Sequence, residues 1–536
     1  MLLVFIKLII RVLYMKKIYI MKLFGLFFFV FMVGANAQQI SVVPQPNEVF
    51  FRKEKCRLDR TVIFEIDKAF DSLQEELSLL FPTDDNSSKS TLKISVKQDH
   101  SINNQEGYIL DIQPKVIIIK SKEKAGAFYA IQTLKQLVAQ SKYNRSNFIT
   151  CMKINDAPRF AYRALMVDPA RHYWKMEDLK KYIDAMAQYK FNFLHLHLTD
   201  DQGWRIEIKK YPKLTEIGSK RTDFEGDKRN NEGYYTQDQM RELVQYALQR
   251  NVQIIPEFDV PGHSDAAIAA YPELSCNDTI IKVRNVAGVS KNLLCVSKEN
   301  VFRFIDDVIT ELSDVFPCSY FHIGGDEAPL DKWIENPSVQ DLKKRLQVTD
   351  NHQLVSYFFS RVNESLVKNG KQPLVWLELE TPEYPKNSIM YLWRYNTTPE
   401  VLERAKKDGF RVICSPGEYA YFDYPQWKND LPNVGWMPTL TLQRVYEFNP
   451  SFSLNKEEEK QYIFGVEATL WGESVKDLFR AFYMTFPRAF AMAEAGWTEM
   501  PNRSWENFVK KLDFQLDYLL KQGVNYRPPV ELYKDR

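Results

Sequence analysis

At 536 residues the chain is too long for one simple core, and two or three domains are expected, with a barrel able to take up much of the length. Its 71 Lys and Arg against 69 Asp and Glu leave a formal charge of +2, so no global field argues for nucleic acid or an anionic membrane as partner. Aromatic residues make up 14%, and many tryptophans sit beside Gly, Asp or Glu at the ends of apolar runs, where sugar-binding sites commonly place them.

The N-terminus reads as an export signal. Lys16, Lys17 and Lys22 precede the apolar run from Leu23 to Val33, and Ala35-Asn36-Ala37 fits the small-residue cleavage rule. Residues 1–37 are therefore expected to be removed, leaving a mature chain that begins at Gln38, is periplasmic or extracellular and has no stable membrane insertion. The residue directly after the cleavage point is Gln38 and not a Cys, so lipid anchoring there is not indicated. Met15-Lys16-Lys17 is itself a normal signal start, which makes residues 1–14 read as an over-long start; a retained N-terminal anchor is the alternative. Six cysteines are too few and too scattered for a disulfide scaffold and form no CxxC pattern. Cys276 and Cys295 bracket a single loop and are the one candidate disulfide.

Residues 38–155 read as a smaller α+β domain. The runs Thr61–Ile66, Thr91–Val96 and Lys115–Ile119 have the β-branched content of a sheet. A helix is predicted from Ala125 to about Val138, with Phe128, Ile131, Leu134, Leu137 and Val138 forming its apolar stripe.

Over residues 156–536 the pattern changes to short apolar runs alternating with amphipathic helices. Eight runs are predicted as strands: 163–167, 191–198, 252–258, 320–323, 374–377, 389–393, 411–414 and 464–470. Thr236-Gln237-Asp238-Gln239 resembles a capping box ahead of Met240, Leu243, Val244 and Ala247, and a last amphipathic helix is predicted over 505–521. The expected fold class is α/β, a (β/α)8 TIM barrel preceded by the α+β domain, with the active site at the C-terminal strand ends. Nearly every such end carries a carboxylate or a large aromatic residue, whereas the opposite ends are plainer.

The fourth strand stops at Gly324-Gly325 and presents Asp326 and Glu327 side by side. Adjacent carboxylates in a sheltered place separate their pKa values, so one can stay protonated as an acid. Tryptophan faces, carboxylates and guanidinium groups around one mouth fit a carbohydrate. Glycoside cleavage ordinarily sets two carboxylates on opposite sides of the bond, and neighbours in sequence do not flank it that way. A substrate that supplies its own nucleophile, a 2-acetamido sugar, resolves this: its carbonyl oxygen attacks the anomeric carbon while one carboxylate protonates the leaving oxygen and the other orients the acetamide N–H.

His322-Ile323-Gly324-Gly325-Asp326-Glu327, Asp168-Pro169-Ala170-Arg171-His172, the segment from His197 to Trp204, Pro261-Gly262-His263 and Trp471-Gly472-Glu473 together resemble the β-N-acetylhexosaminidases of glycoside hydrolase family 20. Gly107-Tyr108 and Gly126-Ala127-Phe128-Tyr129 extend the likeness to the α+β domain. The resemblance implies an exo-acting, retaining enzyme that removes terminal β-linked GlcNAc or GalNAc from a glycan through an oxazolinium intermediate, without cofactor or metal. It implies Glu327 as general acid and later base, and Asp326 as partner of the acetamide nitrogen. Tyr421 would bond the acetamide oxygen, with Asp423 two residues on. Trp376, Trp393 and Trp471 would box the methyl group and the ring, Arg171 and Glu473 would bind hydroxyls, Asp200 and His263 would support them, and Trp436 would stack on the next sugar. A relative that releases a disaccharide or accepts a sulfated sugar is a second reading. A non-catalytic glycan-binding barrel is a third, expected to lack Asp326 or Glu327, both of which are present.

Taken alone, Arg171 reads as a surface or salt-bridged arginine, His263 as a satisfied loop histidine, and Trp376 and Trp393 as core residues. His195 and His197 alternate on a strand as a metal pair would. Packing and hydrogen bonding are favoured for them, because no third ligand is evident and the inferred chemistry needs no metal. Asp168, Asp201 and Glu257 are expected to hold arginine and histidine in place.

Overall fold

The computed structural model describes residues 40–81, 91–229, 231–278, 280–430 and 437–532. The signal segment and Trp436 lie outside the described residues.

Six strands come first: β1 (Glu48–Arg57), β2 (Thr61–Ile66), β3 (Thr91–Gln98), β4 (Tyr108–Ile112), β5 (Val116–Ser121) and β6 (Phe148–Asp156). They form one mixed sheet in the order β1-β6-β4-β5-β3-β2. Alternating burial along β4 and β5 is the mark of a sheet with one face on a core. That core is closed by α1 (Lys124–Tyr143), whose Phe128, Ile131, Leu134, Leu137 and Val138 are all buried. The sequence reading omitted β1, β4 and β6. β1 is an edge strand in which Arg52, Lys53, Glu54 and Lys55 stand in a row, a pattern that suits a solvated edge and hides the strand from a search for apolar alternation.

Each of the eight expected runs forms a strand of the closed parallel barrel: β7 (Tyr162–Val167), β8 (Phe193–His197), β9 (Gln253–Glu257), β10 (Tyr320–His322), β11 (Gln372–Trp376), β12 (Ile389–Leu392), β13 (Arg411–Cys414) and β14 (Ile463–Leu470). Around the ring they follow chain order, with β14 pairing back to β7. Crossovers run through α2 (Met176–Ala187), α3 (Gln237–Gln249), α4 (Glu299–Val315), α5 (His352–Lys368) and α6 (Thr398–Asp408). The predicted capping box at α3 is formed, Thr236 and Gln239 each accepting the other's backbone N–H. One expectation fails. The connection from β11 to β12, residues 377–388, carries no helix, because twelve residues with Pro382 and Pro385 cannot supply a turn, a helix and a return.

After β14 the chain forms α7 (Arg488–Trp497) and α8 (Trp505–Lys521). Both reach back to the first sheet. Asp156 at the end of β6 accepts hydrogen bonds from Lys190 Nζ (3.0 Å), Tyr108 Oη (2.7 Å) and Trp497 Nε1 (2.9 Å). The Lys190–Asp156 pair is wholly buried, and Gln515 of α8 donates to Gln136 of α1 at 2.7 Å. No helix among the described residues is long and apolar enough to cross a membrane.

Candidate active site

The two glycines after β10 make the central turn possible. Gly324 and Gly325 have φ of +63° and +99°, and a Cβ on Gly324 would sit 1.7 Å from Asp259 Oδ1, so no side chain fits. The Gly325 N–H donates to that same Asp259 oxygen (3.1 Å). The turn sends Asp326 inward and Glu327 to the rim. Asp326 is 9% exposed, while the Glu327 side chain is 41% exposed. Glu327 itself has φ of +48°, a strained conformation held by its N–H donating to Glu378 Oε1 (3.2 Å).

Below this turn, register aligns a polar layer. Glu257 on β9 lies level with His197 on β8 and His322 on β10. Its carboxylate meets His322 Nδ1 at 2.9 Å and His195 Nε2 at 3.2 Å, accepts the Trp376 indole N–H at 2.9 Å and also bonds His197 Nδ1. Burial alone would raise the Glu257 carboxyl, but His197, His322 and His195 hold it well below the usual range. The expectation that Glu257 steadies a histidine is thus met three times over, and it also fixes the plane of Trp376. His195, Glu257 and His322 converge closely enough to be candidate ligands for an ion, as do His263, Asp326 and Glu327. The third neighbour that the sequence did not reveal for His195 and His197 is therefore present. The Glu257 oxygens are engaged with the histidines and the indole already described.

One relay leads from this layer to the rim. His197 Nε2 is 2.7 Å from Asp200 Oδ2, and Asp200 Oδ1 is 3.2 Å from His263 Nδ1. His263 Nε2 then lies 3.9 Å from Glu327 Oε2. Burial would lower His263, yet Asp200, Asp259 and Asp326 hold it well above its ordinary value, which makes it a cation between carboxylates. Asp200 is held well below the carboxylate range: burial pushes it up, but Arg171 and His263 outweigh burial.

Arg171, after β7, is 5% exposed. Its guanidinium donates to Asp168 Oδ2 (3.1 Å) and to Gln202 Oε1 (2.9 Å), stands 2.8 Å from Asp200 Oδ2 and reaches to 3.9 Å from Glu473 Oε1. It also lies over the Trp471 ring at 5.2 Å. Trp471 approaches Trp376 (centroids 5.9 Å apart, planes at 46°) and Tyr421 (6.3 Å). Burial and the charges of Asp326 and Asp423 push the Tyr421 phenol well above its ordinary value, so it stays a hydroxyl donor. Burial also raises Glu473, against the pull of Arg171, and raises Asp423, with the Glu473 charge adding to it. Asp326 is pushed up to about 7 by burial, opposed by His263 and aided by Glu327. Its Oδ1 is buried with no hydrogen-bond partner among the described residues.

Residues 160–500 match the glycosyl hydrolase family 20 catalytic domain, and residues 39–157 match domain 2 of the same family. The chain belongs to glycosyl hydrolase family 20. It is 41% identical over 437 residues to a β-hexosaminidase of Akkermansia muciniphila, covering 81% of this chain and 88% of that protein. A solved β-N-acetylhexosaminidase superposes with a TM-score of 0.80 at 37% identity, covering 90% of this chain and 96% of the other. The Vibrio harveyi family 20 exo-β-N-acetylglucosaminidase in complex with N-acetylglucosamine gives a TM-score of 0.80 at 31% identity, over 92% of this chain and 80% of that one.

Within this family fold, Arg171, Asp200, His263, Asp326, Glu327, Trp376, Tyr421, Asp423, Trp471 and Glu473 gather at one mouth through the contacts above. Trp393 is half-buried beside the same aromatic core, its indole donating to Leu377 O at 3.0 Å. Asp168 does what was expected of it, holding Arg171 and accepting the Gly472 N–H (2.8 Å). Asp201 does not. Its carboxylate accepts the N–H groups of Asp265 (3.0 Å) and Ser290 (2.9 Å) and so ties down loops instead of an arginine or histidine. Ser290 belongs to the loop closed by the Cys276–Cys295 disulfide, which is formed. Sequence reasoning left Asp259 and Glu378 out of the site. Asp259 stands at a strand end beside the quoted Pro-Gly-His and could have been taken from that position; Glu378 gave no signal beyond its own strand end.

Proposed function

We propose that the protein is an exo-acting, retaining β-N-acetylhexosaminidase that hydrolyses terminal β-linked GlcNAc or GalNAc with the substrate's acetamide as nucleophile. The observation that carries this reading is the placement of the consecutive carboxylates: Asp326 points inward and is 9% exposed, while Glu327 stands at the rim 3.9 Å from His263. In the first step the acetamide carbonyl oxygen bonds to the anomeric carbon as the glycosidic C–O bond breaks, and Glu327 gives its proton to the departing oxygen. Ionised Asp326 accepts the acetamide N–H and offsets the positive charge that grows there. The Tyr421 hydroxyl donates to the acetamide oxygen, while Trp376 and Trp471 shelter the methyl group. Water then attacks the anomeric carbon, Glu327 takes its proton, and the acetamide is restored. Arg171 and Glu473 hold the sugar hydroxyls.

The Lys-rich start, apolar run and Ala35-Asn36-Ala37 support export to the periplasm or beyond, with cleavage before Gln38. Glu327→Gln is expected to lower kcat by about 10²–10⁴ on sugar leaving groups and by less on an aryl β-GlcNAc. Wild-type turnover by that variant would remove Glu327 from the acid role. NMR of the first product should show the β-anomer, since two displacements retain configuration.

A further inference from the structure

Arg171 is one of three buried arginines that share a turn. Arg205 and Arg221, both on the long connection after β8, are buried, and their N–H groups go to main-chain carbonyls of the segment that carries Arg171. Arg205 donates through Nε to Pro169 O (2.9 Å), through Nη2 to Ala170 O (2.9 Å) and through Nη1 to Ser219 O (2.8 Å) and Gly233 O (3.0 Å). Arg221 donates to Ala170 O (3.4 Å), to Arg171 O and Gln202 O, and to Asn231 Oδ1 (2.8 Å). Two guanidinium groups thus hold the carbonyls of three successive residues, 169 to 171. Asp168 holds the Arg171 N–H (3.0 Å) and guanidinium (3.1 Å). Gln202, whose carbonyl Arg221 also takes, accepts Arg171 Nε at 2.9 Å. Arg221 therefore fixes both the turn that bears Arg171 and the residue that aims its side chain. The close approach is built in: a Cβ on Gly203 would stand 2.6 Å from both Ala170 O and Arg205 Nη2.

The arrangement costs the fold. Burial lowers Arg205 to about 10 and Arg221 to about 9, and the charges of Arg205 and Arg171 lower Arg221 further. Three like charges gathered in one buried place, with Arg205 and Arg221 bound to carbonyls and an amide, weaken a fold that does not need them there. Satisfying the carbonyls does not by itself require charge, since neutral donors or water also serve. What a guanidinium adds is a rigid planar fork that fixes several acceptors at once, leaving the turn one position.

We propose that Arg221, together with Arg205, is a positioning residue for sugar binding: it sets the turn of residues 168 to 171 so that the Arg171 guanidinium meets the sugar hydroxyls, and touches no substrate itself. The proposal rests on the glycosidase reading above. Its test uses wild type, Arg171→Ala, Arg221→Ala, Arg221→Lys and the Arg171→Ala, Arg221→Ala double variant. Hydrolysis of 4-nitrophenyl β-GlcNAc is measured in each, with inhibition by GlcNAc and by its 3-, 4- and 6-deoxy analogues. Arg221→Ala should raise KM about tenfold, the worth of one charge-assisted hydrogen bond, and change kcat by less than about threefold. In the Arg171→Ala background the same substitution should change KM by less than about twofold, because the residue it acts through is gone. Any deoxy penalty that disappears in Arg171→Ala should disappear in Arg221→Ala, and any that survives there should survive here, whereas a general loosening of the pocket would weaken all of them. Arg221→Lys keeps the charge without the fork and should fall between wild type and Arg221→Ala; it carries the same comparison if the Ala variant does not fold. Equal KM effects in both backgrounds, or a deoxy pattern unlike that of Arg171→Ala, would overturn the positioning role and leave the hydrolase reading standing. If no penalty disappears in Arg171→Ala, Arg171 holds no hydroxyl and the proposal falls with it. A wild-type protein without turnover would remove the glycosidase reading itself.

Discussion

Replacing Asp326 by Asn keeps the shape of the side chain and removes its charge, which separates what that charge does in catalysis from what it costs the fold. The carboxyl titrates at about 7 in the folded protein. Against about 3.9 in an unfolded chain, and at about 1.4 kcal/mol per pH unit, the difference comes to about 4 kcal/mol. The sign follows from proton counting. Between pH 4 and 7 the folded state keeps this proton while the unfolded chain has released it, so the group's contribution is fully present below pH 4, falls as pH rises, and is gone above about 7. Asn cannot ionise and escapes this loss. Relative to wild type, Asp326→Asn should therefore gain up to about 4 kcal/mol in going from pH 4 to pH 8, read from urea-unfolding midpoints along that series. Above about pH 7, where wild-type Asp326 is ionised, kcat of the variant on an aryl β-GlcNAc should be lower than that of wild type by about 10²–10³, as for removal of one charge-stabilising contact in a transition state. The wild-type kcat/KM limb that rises as Asp326 ionises near pH 7 should be absent from the variant. A stability gap that stays constant from pH 4 to 8 would refute the account of burial, and an unchanged kcat would refute substrate assistance.

Arg171→Lys exchanges a fork bound to Asp168, Asp200 and Gln202 for a single ammonium; we expect a loss of about 3 kcal/mol and a KM raised at least about tenfold, followed by thermal melts and GlcNAc-glycoside kinetics. Gly325→Ala places a Cβ 2.7 Å from Phe359 Cζ at a φ of +99°, and should cost roughly 1–3 kcal/mol. Adding Phe359→Ala relieves the clash but not the backbone strain, so full recovery of the melting temperature would show that φ does not matter there. The Cys276→Ser, Cys295→Ser double variant should lose about 3 kcal/mol, and reductant should lower the melting temperature of wild type but not of the variant.

The barrel was legible because its strands are buried on both faces and read as unbroken apolar runs; β14 is buried along all of its eight residues. The acid pair was legible because two glycines announce a turn that only glycine can make. What escaped did so for definite reasons. β1 is a charged edge strand. The absence of a helix between β11 and β12 shows only as two prolines in a short connection. The convergence of His195, Glu257, His322 and Trp376 depends on register between strands far apart in the chain, which no local pattern encodes. Asp259 and Glu378 act through backbone N–H groups of a turn on another strand, and side-chain spacing says nothing about such contacts. Asp201 was expected to hold an arginine or a histidine, yet its carboxylate accepts the backbone N–H groups of Asp265 and Ser290, contacts that side-chain spacing does not encode.

Lys190 and Asp156 carry opposite charges to a fully buried place, the cation from the barrel and the anion from the last strand of the sheet. Separating the two would strand each charge in a site shaped for a neighbour, at a cost of about 3–5 kcal/mol. The α+β domain is therefore no removable accessory. A barrel expressed without residues 38–156 would carry a solitary ammonium in its wall, and the intact protein should melt across this seam as a single calorimetric transition.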